Sequence, residues 1–576
     1  YGGYLSRLNH KTNENRTISV YPVSPIGEGA DSLKYRFQWN FPIFFSPHNP
    51  KRLYAAGNQL FMTENEGQSW TAISPDLTTN DKSKQQASGG VITKDNTSVE
   101  YYCTIFAAVE SPVEKDLIWC GSDDGLLHVT RDGGKNWQNV TPNKMPEYTM
   151  INCIEADPFD GGTCYIVGTR YKLDDEHPYI YKTNNYGRTW QKITTGIPDH
   201  HFTRCLRADP IVKGILYAGT EQGMYISFDD GENWEPFQLN LPIVPITDLA
   251  IKDNDLVVAT QGRSFWILDD LTFIHQLKKD QLQQAFHVFN PRVSYSTNGY
   301  QNKQVRNEGM NPPNGVVFHY WVKPWDDTTT LQIQLLDANQ KPLRTYSSKS
   351  KDKEDQISVE SGMNQFVWNM QVKGVDKIDD MIMWNGNVGE YKVPPGKYTA
   401  IFKRSNDSVS IPFEIRKDPN YAASENDYQA QFDFLNIIKN KFEETQQTIK
   451  DIRTTRAQIN TLKDRLGNDY PATLDSLGKK ILTKIAVIEG NLYQTKAKSE
   501  QDVLNYPIKL NDKLVGIFDG VNQHTAPTTQ SRVAYQDIAH LIDLEIEQFK
   551  TLYQNEIKQY NALVHEKNID FIMLKK

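Results

Sequence analysis

The chain has 576 residues, a formal net charge of −8, and 38% hydrophobic and 23% charged residues. That length leads us to expect two to four domains of ordinary globular composition. The negative balance argues against a nucleic-acid-binding surface, and no run approaches the ~20 apolar residues of a membrane-crossing helix.

In chain order, residues 1–24 supply two strands. The chain opens inside a strand pattern at Gly3–Asn9, which leads us to expect the C-terminal portion of a larger protein. One pattern then recurs at Thr63–Trp70, Thr130–Trp137, Thr183–Trp190 and Ser227–Trp234, each reading Ser/Thr-x-Asp/Asn/Glu-x-Gly-x-Ser/Thr/Asn-Trp, the form of an Asp-box. Its glycines (Gly67, Gly134, Gly187, Gly231) permit a left-handed turn in a hairpin. Its amide or acidic residues (Asn65, Asp132, Asn185, Asp229) can accept from backbone N–H groups of that turn. Its tryptophans (Trp70, Trp137, Trp190, Trp234) pack the hairpin on its neighbours. Repeats of this length with strand signals mean propeller blades. We place them at 37–75, 102–140, 148–195 and 202–240, with three more strands at Ile246–Lys252, Leu256–Ala259 and Ser264–Leu268. The propeller then covers 1–270.

Residues 271–284 read as a polar, helix-prone linker. Strand patterns return over 285–417, including Gly315–Val322, Thr330–Leu336, Gly362–Asn369 and Pro394–Phe402, and predict an Ig/Fn3-like β-sandwich with an insertion at 371–393. From 418 to 576 the period is helical. Three long helices are predicted, after Ser424 to Gly467, over 472–499 and over 531–566, joined as an antiparallel bundle. The stretch 500–530, rich in Asn, Gln, Thr and Pro, reads as a connection. The fold class is therefore mainly β with an α C-terminus.

The five cysteines, Cys103, Cys120, Cys153, Cys164 and Cys205, fall on blade strands. They read as small buried residues, with a Cys153–Cys164 bridge as the alternative. No CxxC or metal-ligand spacing occurs, so neither a metal nor another cofactor is expected.

In a propeller the Asp-box turns join strands C and D on one face, and the B–C and D–A loops lie on the other. The Asp-boxes are thus structural, and chemistry belongs on the opposite rim. There the B–C loops carry Asp123, Asp124, Asp174, Asp175, Glu221 and Arg263. The long D–A loop 76–102 carries Asp95 and Glu100, while Arg36, Trp39, Arg204 and Arg207 sit near starts of A strands. Carboxylates beside guanidinium groups suit sugar hydroxyls or peptide termini, or general acid–base work, for which Asp123, Asp124 and Glu221 are the candidates.

The blades resemble the BNR/Asp-box superfamily and, within it, bacterial VPS10/sortilin-like proteins often labelled "glycosyl hydrolase, BNR repeat". The likeness rests on Tyr35–Trp39, Phe45–His48, Ile73–Thr78, Lys94–Tyr102, Gly121–Gly125 and Asp255–Asp270. It implies an exported protein, periplasmic, outer-membrane-associated or secreted, with a propeller scaffold and an undefined ligand. The early Phe-Arg-Ile-Pro motif of sialidases is absent; Tyr35-Arg-Phe-Gln is a poor match. No cysteine follows Cys205, so the cysteine-rich module of sortilin-type receptors is missing as well. The expected function is a non-catalytic binding or scaffold protein whose propeller face takes a peptide or glycan, with protein partners in a cell-envelope assembly. The alternative is a glycoside hydrolase using carboxylates on that face.

Overall fold

The computed structural model describes residues 2–278, 280–297, 309–326, 328–376 and 378–570. It divides into two compact units, Tyr1–His275 and Gln276–Lys576.

The first unit is built from antiparallel meanders. Blade I comprises Ile43–Phe45, Leu53–Ala56, Leu60–Thr63 and Thr71–Ala72, and blade II comprises Ile105–Glu110, Ile118–Ser122, Leu127–Thr130 and Gln138–Asn139. Blade III comprises Met150–Ala156, Cys164–Arg170, Asp175–Thr183 and Gln191–Lys192, and blade IV comprises Thr203–Ala208, Leu216–Thr220, Gly223–Ser227 and Glu235–Pro236. The first strands of blades II, III and IV and of the three-stranded sheet that follows pack side by side, as β-propeller blades do. A hairpin, Ser6–Asn9 with Glu14–Thr17, precedes blade I. A three-stranded sheet, Ile246–Lys252, Asp255–Thr260 and Phe265–Leu268, follows blade IV. Strands B are buried almost throughout, as Val, Ile, Tyr and Ala runs flanked by sheet on both sides must be. Register shifts by one residue at the same place in four inner strands, at Ile105/Ala107, Ile151/Cys153, Thr203/Cys205 and Ile246/Asp248. Such bulges turn the strand end and re-aim the side chains next to the rim.

The Asp-box turns share one bonding scheme. In blade II, Thr130 Oγ1 donates to Asp132 Oδ1 at 2.8 Å and accepts from Gly134 N at 3.0 Å, while Asp132 accepts from Asn136 N at 2.9 Å. Those bonds hold the Asp132 carboxyl down at about 2, with Asn136 the largest contributor. Each indole N–H then reaches back one blade. Trp70 donates to the carbonyl of Ile18, Trp137 to Ile73, Trp190 to Val140 and Trp234 to Ile193, at 2.7–2.9 Å. The same four residues close over the box glycines. A Cβ on Gly67 would lie 2.5 Å from Ile18, and one on Gly134 would lie 2.3 Å from the Ile73 carbonyl.

All five cysteines are buried and free, so Cys153 and Cys164 are not bridged. The start of the 271–284 segment is no loose linker. Leu271 and Ile274 are buried in the blade IV core, helix Thr272–Gln276 follows, and His275 Nε2 lies 2.7 Å from Asp209 Oδ2.

In the second unit a three-stranded sheet (Phe286–Val288, Val316–Val322, Gly362–Trp368) faces a five-stranded one that is ordered Ser294–Ser296, Asp407–Lys417, Gly396–Arg404, Leu331–Leu336, Pro342–Ser347. Their rings meet between them: Phe318 is 5.5 Å from Phe402 and 5.3 Å from Phe413. Residues 298–308 and 571–576 of the predicted sandwich and helices lie outside the described residues.

The helices are α1 (Glu425–Leu466), α2 (Ala472–Leu492), α3 (Leu510–Val521), α4 (Thr529–Leu552) and α5 (Lys558–Glu566), with a π turn at Tyr553–Ile557 between the last two. Helices α4 and α5 and the π turn run without a break over the predicted 531–566 helix, the π turn adding a residue to the repeat and shifting the apolar stripe. Helix α3 falls inside the predicted connection. It buries Leu510, Leu514, Val515, Phe518 and Val521, an i, i+4 stripe that Gly516 and Gly520 obscure in sequence. The predicted insertion is anchored on it: Asp512, in the first turn of α3, accepts from Trp384 N at 2.8 Å and Asn385 N at 2.9 Å. Sandwich and helices share one hydrophobic core, with Tyr391 packed 5.6 Å from Phe432 and 5.5 Å from Phe518.

Candidate functional site

The rim opposite the Asp-boxes is made by B–C turns and D–A connections. Asp123 and Asp124, in the B–C turn of blade II, are 4% and 3% exposed. Asp123 accepts from Thr104 N at 2.8 Å and Thr104 Oγ1 at 2.7 Å. Asp124 accepts from Thr79 N at 2.9 Å, Thr79 Oγ1 at 2.7 Å and Ser122 Oγ at 2.5 Å. The pair therefore ties both ends of the 76–102 loop to the blade II turn. Burial pushes the Asp123 carboxyl up to about 7 against the hydrogen bonds from Thr104.

Arg36 is 2% exposed. Its Nε donates to the Cys103 carbonyl at 3.0 Å, and its Nη2 to Asp76 Oδ2 at 2.7 Å and Thr78 Oγ1 at 3.2 Å. Asp76 also accepts from Asn58 Nδ2 at 2.8 Å. Burial works to raise the Asp76 carboxyl, but bonds from Thr78, Arg36 and Asn58 outweigh it and hold the group below the carboxylate range. Arg36 is thus a buried strut under the loop, not a group offered to solvent.

The less buried members are dispersed, several of them in separate pairs. Trp39 is 43% exposed and its Nε1 donates to Glu100 Oε1 at 3.0 Å. Arg204 donates to Glu221 Oε2 from Nε at 2.6 Å, and its Nη2 lies 2.6 Å from the same oxygen in an ion pair. Its guanidinium lies 5.1 Å from the Phe202 ring, which stacks on Tyr171 with centroids 5.1 Å apart. Asp175 pairs with Arg170 at 3.1 Å and accepts from Tyr179 OH at 2.8 Å. Its burial is outweighed by hydrogen bonds from His177 and Tyr179, and the carboxyl sits below its ordinary range. Asp174 is exposed in the left-handed conformation that closes the turn Tyr171–Leu173. Asp95 is exposed and bonded to Ser88 through its backbone. Arg263 is exposed, and its Nη1 donates to the neighbouring Gly262 carbonyl at 2.8 Å. Arg207 points away from these groups, to Asp248 at 2.7 Å and Glu155 at 3.6 Å. Glu155 itself is pushed up to about 7 by burial, in spite of Arg207.

One feature escaped the sequence reading. Tyr21, Tyr35 and Tyr101 wall a shallow cavity of about 40 Å³ between the connection that precedes blade I and the end of the 76–102 loop. Lys34 Nζ lies 5.1 Å from both the Tyr21 and Tyr35 ring centroids. The Lys34-Tyr35 dipeptide is visible in sequence, but its meeting with Tyr21 and Tyr101 is not. Among the described residues, no cluster of His, Cys, Asp and Glu has metal-holding geometry, and no helix is long and apolar enough to cross a membrane.

No family model matches the chain, and no curated protein matches it. Among solved structures it is similar to a GH74 xyloglucanase from Xanthomonas campestris, with 17% identity over 45% of this chain and 39% of that one, TM-score 0.32. It is also similar to YCF48 from Cyanidioschyzon merolae, with 16% identity over 29% of this chain and 53% of that one, TM-score 0.23. A structure titled YCF48 bound to D1 peptide matches at 16% identity over 42% and 68%, TM-score 0.23. The chain spans less than two thirds of the length of the first two.

Proposed function

We propose that this is an exported, non-catalytic binding or scaffold protein of the VPS10/sortilin-like BNR kind, whose propeller rim recognises a peptide or glycan. The observation that carries the reading is how the rim carboxylates are used. Asp123 and Asp124 are buried and accept hydrogen bonds from the D–A loop ends, and Glu221 is paired with Arg204. What the rim presents to solvent is aromatic surface at Trp39 and Tyr171 beside the paired Glu100 and Arg204. Amphipathic rings next to charge suit the faces of sugars and peptide side chains. The two-sheet module, which we read as Ig/Fn3-like, and the helices would provide spacing or docking in a cell-envelope assembly.

Peptide and glycan libraries screened against the whole chain test this. Binding without turnover, weakened tenfold or more by Trp39→Ala or Tyr171→Ala, is the expected result. A second reading, glycoside hydrolase, is favoured by the Asp123 carboxyl near 7, the range of a general acid. Glycan cleavage lost in Asp123→Asn or Glu221→Gln would establish it and overturn the binding reading.

A further inference from the structure

Within the second unit, a polar cavity of about 180 Å³ lies between the ribbon Gln371–Val372/Tyr391–Lys392, the first turns of α1, and the segment 522–524 that leaves α3. A single water needs only about 10–15 Å³ by this measure, so the space suits a small organic molecule. Two groups on its wall lack what their chemistry requires. Lys392 is half-buried, its ammonium donates to the Thr297 carbonyl, and among the described residues no carboxylate lies within ion-pair distance. Tyr428, in the first turn of α1, is 4% exposed, and its hydroxyl has no hydrogen-bond partner. A half-buried ammonium with no counter-charge among the described residues and a buried phenol without an acceptor are both costly.

Among the described residues, the rest of the lining adds no negative charge. Burial, and secondarily the charge of Lys392, hold the His524 imidazole below its ordinary range and therefore neutral at pH 7. Its ring is fixed by stacking on Tyr421, centroids 5.1 Å apart, and by an edge contact with Tyr428 at 6.2 Å. Asp418, whose charge acts on both His524 and Tyr428, is 9% exposed and accepts from Asn420 N at 2.9 Å and Nδ2 at 3.0 Å. Gln431, anchored by its amide on the Val521 carbonyl at 2.8 Å, lines the cavity with Asn522 and Gln523.

We propose that this cavity is a ligand site for a small hydroxylated monocarboxylate, a sugar acid in class, with the carboxylate taken by Lys392 and Tyr428 and the hydroxyls by the side-chain amides. One ammonium matches one negative charge. A phosphate dianion would leave charge uncompensated, and a neutral sugar would leave Lys392 as it is. The site is independent of the propeller rim, so the fate of the rim reading does not bear on it.

Titration calorimetry on the whole chain with glucuronate and gluconate, against glucose and glucose 6-phosphate, tests the assignment. The expected result is binding of at least one carboxylate below about 1 mM, at least tenfold tighter than either comparison sugar. Lys392→Met weakens it tenfold or more, and Tyr428→Phe about fivefold. Ligand-free Tyr428→Phe melts at or above the wild-type temperature, because the hydroxyl it removes had no partner. Should Lys392→Met not fold, Lys392→Gln and Tyr428→Phe carry the same comparison. Absence of binding by both carboxylates, preference for glucose or the phosphate, or affinities unchanged in these variants would overturn the site.

Discussion

The two ends of the blades solve the same problem in opposite ways. At the Asp-box end, four turns use one scheme: a hydroxyl-to-Asp/Asn bond, a glycine with no room for a Cβ, and an indole bonded to the blade before. At the other end each junction is individual. Blade II uses buried carboxylates on threonines, blade IV a half-buried Arg–Glu pair on stacked rings, and the last sheet an arginine folded onto its own loop. Repetition marks what the architecture needs from every blade. Variation marks where one blade can be made to differ from the next, and so where recognition can be specific.

The difference can be broken experimentally from the repeated end. Trp234 is 3% exposed and holds the Ile193 carbonyl at 2.8 Å, so Trp234→Ala should cost about 3–5 kcal/mol in denaturant unfolding. A loss under 1 kcal/mol would remove the indole from its stapling role. Glycines sharpen the contrast, because Gly134 and Gly262 both have positive φ, +95° and +89°. Only at Gly134 would a Cβ strike anything. Both alanine variants should lose about 1–3 kcal/mol for the backbone, and Gly134→Ala should lose measurably more. Equal losses would mean that the Ile73 contact yields freely.

Buried carboxylates on the variable end give a pH signature. The folded-state pKa of Asp123, about 7, lies above the unfolded value of about 3.9. Its contribution to stability is therefore fully present below about pH 4 and is lost as pH rises through about 7. Asp123→Asn, which mimics the protonated acid, should match the wild type at about pH 4 and below. By pH 8 it should be more stable by on the order of 4 kcal/mol, seen as a flatter melting temperature against pH. Parallel profiles would show that Asp123 stays ionised throughout. The smallest effect is expected at Arg263, whose replacement by Ala should change stability by less than about 0.5 kcal/mol.

How much could be read in advance follows the same division. The Asp-boxes were legible because the hydroxyl, Asp/Asn, glycine and tryptophan of each box lie within eight positions, and the blade strands followed from them. The three strands after blade IV were placed to within a residue. Helix α3 was not legible. Two glycines dilute its stripe, and its polar Asn511 and Asp512 are buried by contacts more than a hundred positions away, at Met383–Asn385. At the rim, the sequence located the loops but not the use of their side chains. Nothing in Gly121–Gly125 says that Thr79 and Thr104 will occupy both carboxylates. The Tyr21–Tyr35–Tyr101 cavity is likewise assembled from segments that only the fold brings together.

The indole bonds also have a direction. Each tryptophan reaches a carbonyl earlier in the chain, from Trp70 to Ile18 through to Trp234 to Ile193. On a ribosome, the carbonyl that each indole binds therefore emerges before the indole itself, so these four bonds can form in the order in which the chain is made.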